Sequence, residues 1–249
     1  MLVSVIIPAI NEAENIKRTI RDARREYTAD EVEIIVVDGG SIDGTPDLVP
    51  PGVRLLRSPR GRAVQMNRGA QASLGEILLF CHADSQLPPG WREAVLQALE
   101  QPGTSGGFFQ SLLWPEKGVL RPLNRLELPA DWRIMFGDMA QFMSRSVYDR
   151  LGGYPEIPIL EDLEMARRLH EAGQIVRIPL RVITSSRRFL ENGPLRQCGF
   201  CLWTIIRYVY LGASPEAIAG GYRSSRERAF LEGPCARQGA RQHRNGRGQ

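Results

Sequence analysis

Two short polar segments each follow an apolar run and carry side chains that could bind a metal ion or hydroxyl groups. His82 and Asp84 come directly after one run, and Asp38 and Asp43 follow another. Ligands of open α/β sheets gather just beyond the carboxyl ends of buried strands, so these side chains can converge on one ligand. Taken singly, each carboxylate also has a structural explanation, since Asp43 stands before a Gly-Thr-Pro turn and can cap a following helix.

A second acidic site is the pair Glu161-Asp162 at the start of a predicted helix. The spacing of apolar residues predicts this helix over 161–172, closed by Gly173. Acidic side chains in a first helical turn are favoured by the helix dipole whatever their function. An acid within hydrogen-bond reach of a hydroxyl can also act as a general base, so both explanations stay open from charge alone.

The elements around these residues alternate between strands and helices, which predicts an α/β fold with a mostly parallel central sheet flanked by helices. Pro8 is expected to stop the first strand, and Asn11 to be the N-cap of a helix with Glu14 at its third position. Further helices are predicted at 63–73, after Pro88-Pro89, and at 146–151. Strands are predicted at 2–7, 32–37, 53–56, 75–85, 106–113 and 141–144.

The composition excludes several classes of protein. The chain has 249 residues, 43% of them hydrophobic, and a net charge of +4, so it can bury a sizeable core and suits an acidic partner such as a nucleotide diphosphate or an anionic membrane. The four cysteines stand in unlike contexts, which favours a reducing compartment over a disulfide framework. No segment reads as a signal peptide, a membrane span or a nucleic-acid-binding module. Cys198 and Cys201 have the spacing of redox or zinc motifs, but no second ligand pair lies nearby in the sequence.

The C-terminal part has a different texture. Residues 195–211 form an apolar stretch that contains Arg196 and Arg207. Either a helix in a membrane interface or a helix packed on the domain explains this pattern. The predicted divisions are a domain at 1–190 with a nucleotide-binding half at 1–100 and an acceptor half at 101–190, a partly apolar helical extension at 191–232, and a disordered basic tail at 233–249.

Several motifs occur in a specific order along the chain, and together they resemble the family 2 glycosyltransferases, which have the GT-A fold. The resemblance covers about residues 2–190, and the ordered set is specific although each motif alone is weak. The motifs are Val3-Ser4-Val5-Ile6-Ile7-Pro8 with Asn11-Glu12, Val36-Val37-Asp38-Gly39-Gly40-Ser41-Ile42-Asp43, Gly61-Arg62-Ala63-Val64-Gln65-Met66-Asn67, His82-Ala83-Asp84 with Leu87-Pro88-Pro89-Gly90-Trp91, and Gly152-Gly153-Tyr154 ahead of Glu161-Asp162.

The resemblance implies a nucleotide-diphospho-sugar donor with UDP as the expected nucleotide, a divalent metal (Mn²⁺ or Mg²⁺), and transfer with inversion to an acceptor hydroxyl. It makes Asp162 the general base, with Glu161 in reserve or orienting it. Asp138 and Gln141 are then the acceptor-side candidates. The candidates for the donor site are Pro8, Asn11, Glu12, Asp38, Gly40, Asp43, Arg62, Asn67, His82 and Asp84.

Three arginines are candidates for contacts with the donor diphosphate. Arg62 follows Arg60-Gly61, close to the expected donor loop, and its guanidinium suits a phosphate. Arg187 and Arg188 lie beyond all the predicted strands, where a flexible basic segment could close over the diphosphate and stabilise the leaving group. A solvated surface pair is an equal alternative for Arg187 and Arg188.

The chain departs from the family at the metal motif, because the family's Asp-x-Asp falls on His82-Ala83-Asp84. Asp84 can serve alone as a carboxylate ligand, since Mg²⁺ sites often use one or two carboxylates plus substrate phosphates. His82 could donate to a phosphate or ribose, bind Mn²⁺, or be a structural histidine. The small size and this change resemble a compact bacterial branch described beside arsenosugar or radical-enzyme gene clusters.

Three functions remain open at this point. The first is a cytoplasmic glycosyltransferase acting on an unidentified hydroxyl. The second keeps the donor site but takes a polyprenyl phosphate as acceptor, with 195–211 docking at the inner face of the membrane. The third is a nucleotide-sugar-binding protein that has lost catalysis because its metal motif is incomplete. The sugar, the acceptor and the oligomeric state are not predicted.

Overall fold

The computed structural model describes residues 1–127 and 129–219, and its centre is a single eight-stranded sheet. The first strands are runs of Val and Ile, which suit positions buried on both faces of a sheet. The order of strands across the sheet is β3-β2-β1-β4-β7-β6-β8-β5. In chain order they are β1 (Val3–Ala9), β2 (Val32–Asp38), β3 (Arg54–Arg57), β4 (Ile77–Phe80), β5 (Ser85–Gln86), β6 (Thr104–Trp114), β7 (Gln141–Ser144) and β8 (Gln174–Ser185).

The sheet is mixed, with more parallel than antiparallel pairings. Strands β3, β2, β1 and β4 pair in parallel, as do β6 and β8. Strand β7 lies between these two groups and is antiparallel to β4 and to β6, and the short β5 is antiparallel to β8. The predicted mostly parallel sheet is therefore confirmed, with β7 as an antiparallel insertion. One sheet spans both predicted halves of the domain.

Helices cover both faces of the sheet. One face packs against α1 (Ile16–Arg24) and α3 (Trp91–Glu100), and the other against α2 (Arg62–Ala72), α5 (Arg145–Leu151) and α6 (Glu161–Ala172). The remaining elements are α4 (Leu120–Asn124), α7 (Arg187–Asn192), α8 (Pro194–Ile205) with a π-helical turn at Ile206–Tyr210, α9 (Pro215–Ala219), and 3₁₀ turns at Thr45–Leu48, Trp132–Ile134 and Gly137–Met139.

The core has two apolar layers separated by the sheet. Along β1, Val5 and Ile7 point to the layer that contains Trp91, while Ile6 points to the layer that contains Met66. This alternation follows from the two-residue period of a strand. The residues of both layers are buried, which fixes the strands and helices in place. The polar residues at the ends of the strands are therefore attached to rigid elements.

Two predictions about the first strand and helix are wrong. Pro8 does not stop the strand, because β1 runs to Ala9 and Pro8 pairs with Val37 of β2. Pairing with β4 ends at Ile6, so Pro8 lies where β1 has no partner on that side and its missing N–H costs little. Asn11 is not the N-cap, since α1 begins only at Ile16 and Asn11 has a left-handed φ of 53°.

The described part of the C-terminal extension contains α8, its π-helical turn and α9. Helix α9 places Ile218 against Leu163 of α6. Within residues 1–127 and 129–219, no helix has the length and apolar character needed to cross a membrane. The predicted disordered tail at 233–249 lies outside the described residues.

Candidate active site

A cleft of about 680 Å³ opens beyond the carboxyl ends of β1 and β4. This volume is in the range of small-molecule sites. The sheet, α6 and the start of α7 deliver most of the predicted polar residues to it. Those that line the cleft are Pro8, Asn11, Glu12, Arg62, His82, Asp84, Asp138, Glu161, Asp162, Arg187 and Arg188.

The loop after β1 is locked to the loop after β2. The Asn11 backbone N–H donates to Ser41 Oγ at 2.9 Å, and Asn11 Oδ1 accepts from Ile42 N at 2.9 Å. The Glu12 backbone N–H donates to Thr45 Oγ1 at 2.8 Å. The left-handed conformation of Asn11 is therefore supported by one hydrogen bond from its backbone and one to its side chain.

Asp38 and Asp43 shape the second loop and do not line the cleft. The buried Asp38 carboxylate accepts from Gly40 N at 3.1 Å and from Ser41 N at 3.2 Å. Gly40 itself has a φ of 93°, which glycine adopts without strain. The Asp43 carboxylate accepts from Thr45 N and from Ala13 N, both at 3.0 Å, as a capping residue would. Burial opposes ionisation of Asp43, but these bonds and one from the Thr45 hydroxyl lower its pKa below its usual value.

Gln65 joins the two strand ends from helix α2, and sequence reasoning missed it. Its buried Nε2 donates to Ala9 O at 2.9 Å and to Val37 O at 2.8 Å. A glutamine inside a helix gives no sequence signal, because the same residue is ordinary on a solvated face. The bonds fix the point where β1 and β2 enter the loops of the cleft.

His82 lines the cleft, and its Nε2 lies close to Gly137. A Cβ added at Gly137 would lie 2.6 Å from His82 Nε2 and 3.0 Å from Asp162 Oδ2. Nε2 is enclosed and has no hydrogen-bond partner among the residues that the structure describes. Burial, with a smaller effect from the charges of Arg62 and Arg188, lowers the pKa of His82 to about 3. The imidazole is therefore neutral at physiological pH.

Asp84 lines the cleft beside Glu12 and the start of α7. Burial and the neighbouring Glu12 carboxylate raise the pKa of Asp84, while Arg187 and Arg188 oppose the shift. Arg187 Nη2 contacts Glu12 Oε1 at 2.9 Å. The loop after β1 and α7 thus meet in an ion pair next to Asp84.

The acidic pair at the start of α6 is held by Arg62 and by a backbone amide. Asp162 Oδ2 accepts from Gly137 N at 2.6 Å and lies 3.8 Å from Arg62 Nη1. Glu161 Oε1 lies 3.1 Å from Arg62 Nε, and Glu161 is more deeply buried than Asp162. Burial raises the pKa of Glu161; Arg62 opposes this shift, and the charge of Asp162 adds to it. Of the two, Asp162 is the one oriented by a backbone donor.

Asp138 completes a group of carboxyls around the cleft. Burial, and then the charges of Asp162 and Asp84, raise its pKa to about 6. Among the described residues no three His, Cys, Asp or Glu side chains come together as a ready metal site. His82 and Asp84 were the predicted ligands, and only Asp84 presents itself as an ionisable oxygen ligand to the cleft.

Gln141 and Asn67 lie behind the cleft wall. Gln141 donates to the Asp162 carbonyl at 2.9 Å and accepts from Tyr154 OH at 2.7 Å. Asn67 Oδ1 accepts from Tyr148 OH at 2.7 Å and from Tyr154 N at 2.9 Å, and its Nδ2 donates to Tyr154 O at 2.8 Å. Both amides brace the start of α6 and the Gly-Gly-Tyr turn. The predicted contacts of Gln141 with the acceptor and of Asn67 with the donor stay predictions. The positions of both side chains behind the cleft wall do not favour these contacts.

Another part of the cleft wall carries many apolar side chains, and this composition was not predicted. It is formed by the end of β6, by α4, and by the segment that precedes α6. Helix α8 adds Cys198, Cys201 and Thr204, so the extension contributes to the cleft. The apolar lining residues include Leu113, Leu123, Leu126, Phe136, Ile159 and Phe189.

Residues 4–150 match the sequence profile of the family described as Glycosyl transferase family 2, which is more than half of the chain. The chain belongs to glycosyltransferase family 2. The matched residues include β1, β2 and β4 and therefore the loops that carry Asn11, Asp38 and Asp84. Glu161 and Asp162 lie beyond the matched range.

Several curated relatives are named as glycosyltransferases. The chain is 26% identical over 208 residues to the probable glycosyltransferase YdaM of Bacillus subtilis, a match that covers 73% of this chain and 50% of YdaM. It is 30% identical over 167 residues to the uncharacterized glycosyltransferase Rv1514c of Mycobacterium tuberculosis, with 61% and 62% covered. The chain thus spans half or less of the first relatives that it matches.

Solved structures establish the fold of this family 2 glycosyltransferase. TarS 1–349 of Staphylococcus aureus aligns with a TM-score of 0.62 at 16% identity, covering 85% of this chain and 65% of TarS. The mannosyltransferase PcManGT of Pyrobaculum calidifontis, solved with GDP-Man and Mn²⁺, aligns with a TM-score of 0.60 at 19% identity, covering 94% and 79%. The predicted GT-A fold is confirmed by these likenesses.

Proposed function

We propose that this family 2 glycosyltransferase moves a sugar, with inversion, from a nucleotide-diphosphate donor to an acceptor hydroxyl. The observation that carries the proposal is one cleft that joins the donor-side loops to Asp162 of α6. We expect UDP as the nucleotide. TarS has been solved with UDP-GlcNAc and PcManGT with GDP-Man, so nucleotide-sugar donors are known for proteins of this fold.

Donor binding is assigned to the loops after β1, β2 and β4. The Asn11 and Asp38 bonds hold the first two loops in one shape, so a nucleoside would meet a preorganised surface. Pro8, Glu12 and Arg62 line the cleft beside these loops. Asp38, Gly40 and Asp43 support the loops from behind, and direct contact with the nucleoside requires the carboxylates to exchange their present backbone partners.

Asp162 is the proposed general base. The acceptor oxygen attacks the anomeric carbon, its proton passes to the Asp162 carboxylate, and the bond from carbon to the diphosphate oxygen breaks. The electron pair of that bond stays on the diphosphate, and attack from the opposite face inverts the anomeric centre. The Gly137 amide donates to Asp162 Oδ2 and keeps the carboxylate oriented. Arg187 and Arg188 line the cleft where they can stabilise the charge of the leaving group.

A divalent cation, Mn²⁺ or Mg²⁺, fits the cleft as part of a donor complex. Asp84 supplies one carboxylate, and sites of hard cations often combine one or two carboxylates with substrate phosphates. The enclosed Nε2 of His82 faces Gly137, so we assign this nitrogen no part in holding a cation. When bound, the cation would neutralise negative charge on the diphosphate.

A polyprenyl phosphate or another acceptor with an apolar tail is the second candidate for the acceptor. The apolar wall of Leu123, Leu126, Phe136 and Phe189 favours it. Parallel assays with a short soluble alcohol and with a prenyl phosphate distinguish the two acceptor classes. A binding protein without catalysis is the third candidate, and the likeness to the branch beside arsenosugar gene clusters also stays a prediction.

The test is a comparison of wild type with Asp162→Asn. We expect wild type to bind UDP in the presence of Mn²⁺ by calorimetry and to release UDP from a UDP-sugar. Asp162→Asn should keep nucleotide affinity but lose on the order of 10²–10⁴-fold in turnover, because the general base is gone. The exposed Asp149→Asn is the matched control and should match wild type. Unchanged turnover in Asp162→Asn would contradict the assignment, and absent UDP and GDP binding would contradict the function.

A further inference from the structure

Helix α8 and its π-helical turn are amphipathic, but their polar face packs on the protein and their apolar face points outward. Gln197, Cys201, Thr204 and Tyr208 recur at helical spacing on the side that faces the protein. Leu195, Leu202, Ile206 and Tyr210 recur on the other side, with Trp203 beside them. A helix that packs on its own domain buries its apolar stripe, so α8 has the opposite arrangement.

The inward face is fixed by polar contacts, so the helix cannot turn its apolar side in. Gln197 is buried and accepts from Asn192 Nδ2 at 2.9 Å. Thr204 is buried as well, but its hydroxyl has no hydrogen-bond partner among the described residues and does not hold the helix. Tyr208 OH donates to Glu164 Oε2 of α6 at 2.7 Å. Rolling the helix would break these contacts and leave buried polar groups unpaired.

The outward face leaves large apolar side chains in water. Leu195 is 74% exposed, Trp203 54% and Tyr210 67%, and Leu202 and Leu211 are exposed beside them. We name this set the α8 outer face. Single exposed apolar residues are ordinary, but a contiguous set on one helix indicates an interaction surface.

The charges around the α8 outer face identify the partner. Arg196 is exposed on the same helix and Arg207 follows it, while residues 192–215 contain no aspartate or glutamate. The remaining sequence, 220–249, adds seven arginines against two glutamates. Leucine with tryptophan and tyrosine, flanked by arginine, is typical of a helix in the interface of a bilayer. Arginine near such a face is attracted by anionic headgroups.

We propose that the α8 outer face docks this enzyme on an anionic lipid bilayer. Trp203 and Leu202 enter the boundary between headgroups and acyl chains, and Arg196 contacts lipid phosphates. The inner face of the same helix lines the cleft through Cys198, Cys201 and Thr204. Docking therefore brings one wall of the cleft to the lipid surface. The proposal concerns binding alone and does not depend on the transfer reaction.

Vesicle binding of the full chain tests this proposal without any substrate. Wild type should sediment with vesicles of phosphatidylglycerol and phosphatidylcholine, more weakly with phosphatidylcholine alone, and more weakly at high salt. Brominated lipids should quench tryptophan fluorescence, and Trp203→Phe should remove most of the quenching. The double variant Leu202→Ser with Trp203→Ser should bind at least tenfold more weakly, since each side chain loses its apolar burial.

Leu74→Ser is the matched control, because Leu74 is an exposed leucine far along the chain from α8. It should bind vesicles like wild type, and unchanged melting temperatures should show that all variants are folded. Equal vesicle binding by the double variant would overturn the proposal. A wild type that does not bind vesicles would also overturn it. In that case α8 would be covered by another part of the same chain in a monomer, or by a second copy in a dimer that the double variant dissociates.

Discussion

At Gly137 the cleft has no room for a side chain. A Cβ there would meet His82 Nε2 at 2.6 Å and Asp162 Oδ2 at 3.0 Å, so Gly137→Ala must shift the proposed base or the imidazole. We expect turnover to fall at least tenfold with little loss of UDP affinity, because a small displacement of a positioned group is costly to the chemical step. Steady-state kinetics with calorimetry measure both quantities.

Gly199→Ala is the control for this substitution. Nothing lies within 4 Å of a Cβ at Gly199, which is exposed on α8. Its turnover should equal that of wild type, and alanine should raise helix stability by up to about 1 kcal/mol. Full activity in Gly137→Ala would show that the contact of His82, Gly137 and Asp162 has no part in catalysis.

The resemblance predicts a carboxylate at the position of His82, and His82→Asp tests what the histidine does there. We expect the substitution to lower turnover and not to strengthen activation by metal. The reason is that the new carboxylate would lie among the negative charges of Asp84, Asp138 and Asp162. Those charges already raise the pKa of Asp138 to about 6 after burial. The measurement is the Mn²⁺ concentration for half-maximal activity. A lower Mn²⁺ concentration for half-maximal activity with higher turnover would show that a carboxylate at this position binds the metal better than His82 does. His82→Asn is the control that separates the loss of the imidazole ring from the gain of negative charge.

Single residues were predictable where a motif defines them and not where only a tertiary contact does. The motifs single out Asp84 and Asp162, and both line the cleft, while their roles stay predictions. Gln65 was missed because its two bonds to Ala9 and Val37 join parts of the chain that are distant in sequence. Asn67 was predicted to contact the donor because it lies in a motif, and the motif does not reveal its hydrogen bonds to Tyr154.

Among the elements, α6 anchors the C-terminal extension through Glu164. Its carboxylate accepts from Arg167 and Arg168 and from Tyr208 OH of the π-helical turn. Burial opposes ionisation of Glu164, but these hydrogen bonds outweigh it and lower the pKa to about 2. An unfolded glutamate titrates near 4.3, so the folded state binds the Glu164 proton more weakly.

Glu164→Gln should therefore destabilise the protein, by about 1–2 kcal/mol near pH 7 after solvent screening. The contribution of Glu164 is complete above its unfolded pKa and is lost as pH falls towards 2. The difference between wild type and variant should shrink over this acidic range in urea denaturation. Glu100→Gln, an exposed helical glutamate, is the control. A difference that does not change between pH 7 and pH 3 would contradict the role of the ionised carboxylate.

Element boundaries were predicted well where period and caps agree. The helix at Glu161–Ala172 and the strand at Gln141–Ser144 have the predicted bounds. The start of α1 was placed too early, because Asn11 and Glu12 bond to the loop after β2 and leave the helical path. The parallel pairing of β6 with β8 was not visible either, since β7 separates them in the chain and also lies beside β6 in the sheet.

At the scale of the whole molecule, Glu12 and Arg187 connect the start of the chain with its C-terminal part. Their 2.9 Å contact crosses the mouth of the cleft beside Asp84. Arg187→Gln should weaken UDP binding several-fold in calorimetry, because the cation no longer offsets the carboxylates and phosphates. UDP should protect the amides of α7 from hydrogen exchange in wild type and not in the variant.

Arg150→Gln is the matched control for Arg187→Gln, since Arg150 is an exposed arginine on α5. It should bind UDP like wild type. Unchanged affinity and exchange in Arg187→Gln would mean that the ion pair is only a surface contact, which usually contributes about 0–1 kcal/mol.

Of the three cysteines among the described residues, one is buried away from reagents and two lie on the wall of the cleft. Cys81 is fully buried at the end of β4, and burial raises the pKa of its thiol, so thiol reagents should leave it intact in the native protein. Cys198 and Cys201 are partly exposed on the cleft wall. A fluorophore or an isotope label attached there would sense an acceptor as it enters, which makes the native chain its own reporter for ligand screening.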